Sequence, residues 1–277
     1  MKVDAHQHFW RYNGREYGWI TDGMSGLRMD FLPEDLMEVQ APLGYDGSIA
    51  VQARQTLAET EWLLELSERH KRILGVVGWV DLCSPQLPVG LGRLSRSPKL
   101  RGVRHVLQDE PDERYMLRPD FLRGIGELSR WRLTYDILIR PRHLLTACQL
   151  VELFPDQPFV LDHIAKPPIG GGVLEPWATD IRRLATFPNV HCKLSGMVTE
   201  ADWKRWRPDG FRPYLDVVFE AFGPQRLMIG SDWPVCSLVA PYSRVMSIVA
   251  DYVQDMPAAQ QRMILGENAL SFYGVVK

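Results

Sequence analysis

"KVDAHQHFWRY", residues 2–12, reads as a first β-strand and the chain that leaves it. Successive side chains of a strand point to opposite faces, so Asp4, His6 and His8 are expected to share one face. Beyond His8 come Phe9, Trp10, Arg11 and Tyr12. An open, doubly wound sheet would usually carry a glycine-rich turn at this point, and none is present. The glycine cluster "IGGG" at 169–172 is not followed by Lys-Ser/Thr, so it reads as a loop and not as a phosphate cradle.

Working outward, seven more apolar or β-branched runs follow. They lie at 47–53, 73–82, 100–107, 133–140, 158–165, 189–196 and 226–234. Amphipathic helical stretches stand between them at 56–70, 120–131, 175–187, 211–223 and 243–253, with Thr56 or Thr60 able to cap the first and Gly223 placed to stop the fourth. Strand–helix alternation with near-continuously apolar strands implies a parallel sheet covered on both faces. Eight such units in 277 residues predict a single α/β domain over 1–277, a closed (β/α)8 TIM barrel.

The bulk numbers agree. Hydrophobic residues make up 45% of the chain and charged residues 24%, enough to bury a large core. A formal net charge of −2 gives no basic surface for nucleic acid or an anionic membrane. Asp4, His6 and His8 interrupt the apolar residues after Met1, so no signal-peptide core forms, and no apolar run approaches a membrane span. A cytoplasmic location is expected. Cys83, Cys148, Cys192 and Cys236 form no CxxC pair, so a zinc ribbon is not expected and reduced, packed thiols are. A homo-oligomer is left open.

A barrel builds its active site at the C-terminal ends of its strands. Those ends supply His6 and His8, Gln52 and Arg54, Arg104 and His105, then Tyr135 and Asp136. Asp162, His163 and Lys166 follow, then Lys193 and Ser195, and finally Ser231 and Asp232. Parity on the seventh strand sends Cys192 and Leu194 toward the helices and Lys193 into the barrel. Arg104 and His105 have opposite parities; the guanidinium is expected to face the site, where its several donors can bind ligand oxygens. His6, His8, His163 and Asp232 come from three strands and end at one mouth.

These residues carry a resemblance. The first-strand HxH, the later histidine and the final "SDWP" resemble the amidohydrolase superfamily. So do "VQAR" (51–54), "LRGVRH" (100–105), "LDHIAKP" (161–167), "CKLSGMVTEADW" (192–203) and "FGPQRLMIGSDWPVC" (222–236). They are similar to its lactonase branch, nearest the bacterial L-fuconolactonases, with 2-pyrone-4,6-dicarboxylate lactonases as more distant relatives. The resemblance implies an amidohydrolase-type barrel. It implies hydrolysis of a sugar lactone, L-fuconolactone or a related aldonolactone. The fourth strand carries Arg104 where two-metal members carry a bridging group, and the fifth carries Tyr135 and Asp136 where they carry a histidine. A tight binuclear centre is therefore not expected. No cofactor is strictly required, and a single zinc on His6, His8, His163 and Asp232 is the metal option.

Lactone opening needs a water deprotonated, an oxyanion stabilised and a ring oxygen protonated. By the resemblance, Asp232 is the base toward water and returns the proton to the leaving oxygen, a task that suits a carboxylate whose pKa burial raises. His163 would orient the water. His6 and His8 would donate to the oxyanion or hold a metal that does so. Gln52, Arg104 and Lys193, with Trp19 and Trp203 on loops, are the candidates for substrate binding. One or two arginines at the mouth favour a neutral sugar lactone over a dicarboxylate. The alternatives are a 2-pyrone-4,6-dicarboxylate-type lactonase or a zinc-dependent decarboxylase of the same superfamily. Outside catalysis, a barrel that merely binds a sugar acid is the remaining reading.

Overall fold

A computed structural model describes residues 1–275. Eight strands run β1 (Lys2–Gln7), β2 (Tyr45–Val51), β3 (Ile73–Gly78) and β4 (Leu100–His105), then β5 (Thr134–Ile137), β6 (Phe159–Leu161), β7 (Val190–Leu194) and β8 (Leu227–Ile229). Each pairs in parallel with the next, in chain order from β1 to β8. At the mouth the ring closes through a Gln7–Trp233 bridge, with His8 N donating to Trp233 O at 2.7 Å and Asp232 N to His6 O at 2.8 Å. All eight expected strands are present. Seven are shorter than their apolar runs, and β2 starts and ends two residues before its own, because the chain leaves the ladder at the residues that form the site.

Eight helices alternate with the strands: α1 (Pro33–Gln40), α2 (Leu57–Arg69), α3 (Leu87–Leu94), α4 (Pro119–Leu128), α5 (Leu144–Leu153), α6 (Trp177–Ala185), α7 (Arg212–Phe222) and α8 (Tyr242–Val253). The expected helices correspond to α2, α4, α6, α7 and α8. Thr56 caps α2 by accepting from Glu59 N at 3.2 Å, and Gly223, at φ +67°, ends α7. Three helices, α1, α3 and α5, escaped the sequence reading; α5 has apolar residues on most of its surface, which blurs the 3.6-residue signal. Among the described residues no helix is long and apolar enough to cross a membrane.

Two apolar layers result. The larger packs the outward strand residues, among them Ala50, Val76, Val103, Tyr135, Leu161 and Cys192, against the helices. The smaller fills the floor of the barrel with Val3, Ala5, Ile49, Val51, Val77, Val160 and Met228. A short C-terminal helix, Asn268–Phe272, caps that floor from below with Leu270 and Tyr273.

Simple alternation fails on β1. Its pairing with β2 is irregular between Asp4 and Gln7. Ala5 belongs to the barrel floor, yet His6 also points inward. Asp4 instead faces outward, reaching Gln40 of α1 at 3.4 Å and Tyr242 of α8 at 3.1 Å. The three residues therefore do not share one face, because a bulge turns the strand between Asp4 and His6. Asp4 does serve the mouth, but from behind: its carboxylate accepts from Ser231 N at 2.9 Å and Ser231 Oγ at 2.6 Å.

Candidate active site

Above the apolar floor lies a buried layer of charge. The Lys193 ammonium sits 2.5 Å from Asp136 Oδ2, 3.1 Å from Asp162 Oδ1 and 3.2 Å from His6 Nδ1. Tyr273, from the C-terminal plug, donates to Asp136 at 2.8 Å. Arg104 donates to Asp162 Oδ2 at 3.0 Å and to the Gln52 carbonyl at 2.5 Å. Buried charges persist when they are paired in this way. Burial pushes Asp136 up to about 6, against the pull of Lys193. At Asp162 burial also acts upward, but Lys193, His6 and Arg104 outweigh it and hold the carboxyl well below the usual range.

Lys193 is thus a support beneath His6. It is fully buried and does not line the pocket, so the expectation that it reads substrate gives way to a structural role. Gln52 is likewise fully buried, its amide 3.4 Å from the Arg104 carbonyl, and it too lies outside the pocket lining. Arg104 faces inward as expected and reaches the pocket wall. His105 faces outward, stacked on Tyr115 with ring centroids 5.1 Å apart and 2.6 Å from Glu110 Oε1.

The next layer brings His6, His8, His163 and Asp232 together. His8 Nε2 lies 3.2 Å from Asp232 Oδ1 and 3.3 Å from His6 Nε2. His8 Nδ1 is 2.8 Å from the Val51 carbonyl and must donate there. In a neutral His8 ring the Nε2 lone pair then faces a carboxylate oxygen. A proton, a polarised water or a cation at that point relieves the conflict. His163 Nδ1 meets Ser195 Oγ at 2.9 Å, and its Nε2 lies 3.8 Å from Asp232 Oδ1. Burial lowers His163 to about 4 despite nearby Asp232 and Asp162, so the ring is neutral at neutral pH.

Burial alone would raise the Asp232 carboxyl, as the sequence reading supposed. His163, His8 and His6 surround it and win, holding it well below the usual carboxylate range. Asp232 is therefore ionised at neutral pH, in its proton-accepting form.

Backbone strain is concentrated here. His163, Ile164, Ala165 and Lys166 all have φ between +48° and +61°, and Asp232 has φ +58°. Non-glycine residues adopt this region at a cost of about 1–3 kcal/mol each and need surroundings that hold them. Trp177 Nε1 donates to the Ile164 carbonyl at 2.8 Å and Lys166 N to the His163 carbonyl at 2.8 Å. This left-handed turn replaces the expected end of the sixth strand and aims His163 and Lys166 into the mouth.

A pocket of about 790 Å³ opens over Asp232, His8 and His163. Trp19 and Trp203 line it, as expected, both partly exposed on loops. Four cations also line it: Arg54, Arg104, Arg140 and Lys166. Arg140, the last residue of the fifth apolar run, was passed over because it stands beyond the strand. Three of the four have carboxylate partners. Arg54 pairs with Glu16, Arg104 with Asp162, and Arg140 approaches Asp109 at 4.0 Å.

The donor set can hold a metal. Tetrahedral zinc ligands at about 2.0–2.1 Å from the ion stand about 3.3 Å apart. His6 Nε2, His8 Nε2 and Asp232 Oδ1 are separated by 3.3, 3.2 and 3.8 Å. They fit one divalent ion, with Arg104 Nη1, 3.3 Å from His6 Nε2, as a competitor for that lone pair. His163, expected as a fourth ligand, groups instead with His6 and Asp162.

Comparison with known proteins agrees with this picture. The sequence model of the amidohydrolase family matches residues 3–275. The L-fucono-1,5-lactonase of Burkholderia multivorans is 42% identical, over 99% of this chain and 96% of its own. That of Burkholderia ambifaria is 37% identical over the same shares. A crystal structure of a Burkholderia multivorans amidohydrolase with bound zinc superposes with a TM-score of 0.95 at 42% identity, covering all of both chains.

Proposed function

The chain belongs to the amidohydrolase family, and from that premise we propose that it hydrolyses a sugar lactone, of the L-fucono-1,5-lactone type, to the open hydroxy acid. The observation that carries this reading is the contact of Asp232 with His8 at 3.2 Å on the floor of the pocket. An ionised, water-accessible carboxylate held by histidines is a base placed to take a proton from water.

The steps follow from the side chains. Asp232 accepts a proton as water adds to the lactone carbonyl carbon. The ring C–O bond then breaks, and Asp232 returns that proton to the leaving ring oxygen. His163, neutral and anchored by Ser195, offers Nε2 to orient the water or donate to the carbonyl oxygen. His8 and His6 flank Asp232 on its other side, at 3.2 and 3.8 Å, with a proton, a water or a cation needed to bridge the nearer pair. Trp19 and Trp203 offer indole faces to the apolar side of a sugar ring. When bound at His6, His8 and Asp232, a zinc ion would supply Lewis acidity.

The test is hydrolysis of L-fucono-, L-galactono-, D-arabinono- and L-rhamnonolactone, with 2-pyrone-4,6-dicarboxylate as the acidic comparison. Each is assayed with and without a strong chelator. The expected result is turnover of a fucono-type lactone that survives chelation. Turnover of none of these substrates overturns the reading.

A further inference from the structure

Of the cluster at the mouth, only neutral His163 has a donor to spare for an oxyanion, its Nε2, and it brings no charge. His8 spends its Nδ1 proton on Val51, so a neutral ring has none left at Nε2. His6 has Asp162 and Lys193 on Nδ1, while Arg104 and His8 crowd its Nε2. Arg104 is itself committed to Asp162 and the Gln52 carbonyl. Lactone opening nevertheless places negative charge on the carbonyl oxygen while Asp232 holds the proton of water, and afterwards on a carboxylate beside an Asp232 that is anionic again.

We propose that Lys166 is the cation that receives this charge, its ammonium hydrogen-bonding the carbonyl oxygen as water adds and then the carboxylate of the released hydroxy acid. The inference rests on the lactonase reading and names a contact residue for it. Among the described residues no carboxylate lies within 4 Å of the Lys166 ammonium, unlike the other three cations of the pocket. The side chain lines the same pocket as Asp232 and His163. It is delivered there by the left-handed turn at 163–166, which buries Ile164 and Ala165 in the core and turns His163 and Lys166 to the pocket. Burial lowers its pKa, partly offset by the charges of Asp232 and Glu200, as expected of a half-buried ammonium left without a direct partner. No net proton leaves Lys166 in the reaction; the proton of water travels through Asp232 to the ring oxygen, and that of the new carboxylic acid is lost to solvent.

Glu200 supplies an internal control. It lines the pocket, and its charge acts on the same ammonium. A bound carboxylate would therefore be attracted by Lys166 and repelled by Glu200.

The experiment is calorimetric titration of the whole protein with the hydroxy acid released from L-fucono-1,5-lactone, for wild type, Lys166→Met, Lys166→Arg and Glu200→Gln. Melting temperatures and lactone turnover are measured in parallel. Loss of a charged hydrogen bond should weaken acid binding about 10- to 100-fold in Lys166→Met. Lys166→Arg should recover much of it, and Glu200→Gln should tighten it, a sign that a merely structural role does not produce. Acid binding within twofold of wild type in Lys166→Met, or no binding by wild type, overturns the proposal. Should Lys166→Met not fold, unchanged affinity in Glu200→Gln overturns it instead. The lactonase reading fails separately, when wild type turns over no lactone.

Discussion

A β-carbon added at Gly196 would stand 2.5 Å from Nδ1 of His163. That nitrogen is the one held by Ser195, and Gly196 itself sits at φ +61°. An L side chain is thus refused twice, by backbone conformation and by the imidazole. Gly196→Ala is expected to displace His163, lowering kcat/KM for the lactone by about 100-fold. It should also cost on the order of 1–3 kcal/mol in stability. Steady-state kinetics and urea unfolding check both; a fully active variant would show that His163 does not depend on this contact.

Asp232→Asn keeps the shape of the side chain and removes the proton acceptor. A drop in kcat of about 100- to 10,000-fold is expected, with the circular dichroism spectrum unchanged. Turnover within tenfold of wild type would take Asp232 out of its assigned role.

Lys193→Met separates support from recognition. It leaves Asp136 and Asp162 without the ammonium that now lies 2.5 and 3.1 Å from them. A loss on the order of 3–5 kcal/mol is expected, the cost of stranding buried charge. The surviving folded enzyme should show little change in KM. A raised KM with unaltered unfolding would instead return Lys193 to the substrate.

Glu59 predicts a pH dependence of stability. It is fully buried on α2, and its carboxylate accepts from Ala53 N at 2.9 Å and Arg54 N at 2.7 Å. Burial dominates and pushes its pKa up to about 7. Folding therefore raises the pKa, and the native state binds the proton more tightly than the unfolded chain. This contribution is complete below about pH 4.5 and is lost as pH rises through about 7, on the order of 3 kcal/mol in all. Glu59→Gln should flatten that part of the curve when unfolding is followed by denaturant between pH 5 and 8. An identical pH profile in the variant would place the dependence elsewhere.

Zinc titrated into the protein should bind one ion per chain, and His8→Ala should weaken it at least about tenfold, read with a competing metal indicator. Unaltered affinity in His8→Ala would dismiss the His6–His8–Asp232 set as the site.

The barrel was legible because each unit repeats the same pattern and parallel strands buried on both faces are nearly all apolar. Lys193, entering the barrel, followed from parity on a regular strand; parity set Arg104 and His105 on opposite faces, and the donors of the guanidinium chose between them. Parity failed at Asp4, where a bulge inserts a turn that no residue type announces. It also could not separate a pocket residue from one buried just below. Lys193 and His163 both end inward-facing runs, yet one lies under the cluster and the other at its surface. The left-handed turn at 163–166 carries no glycine, so its sequence, "HIAK", holds none of the usual marks of positive φ. Arg140 was lost for a related reason: a residue one step past a strand has no face assigned by alternation.

The ring closes at the mouth through backbone bonds made by His6, His8, Asp232 and Trp233. These join the first strand to the last, across 224 residues between His8 and Asp232. Assembly of the proposed site and closure of the barrel are therefore a single event, and a late one. A nascent chain that has emerged only as far as β7 holds the three histidines of the site and lacks the carboxylate proposed as its base. Under the proposed mechanism such a chain turns nothing over, and the onset of lactone hydrolysis during translation would time the meeting of β1 with β8.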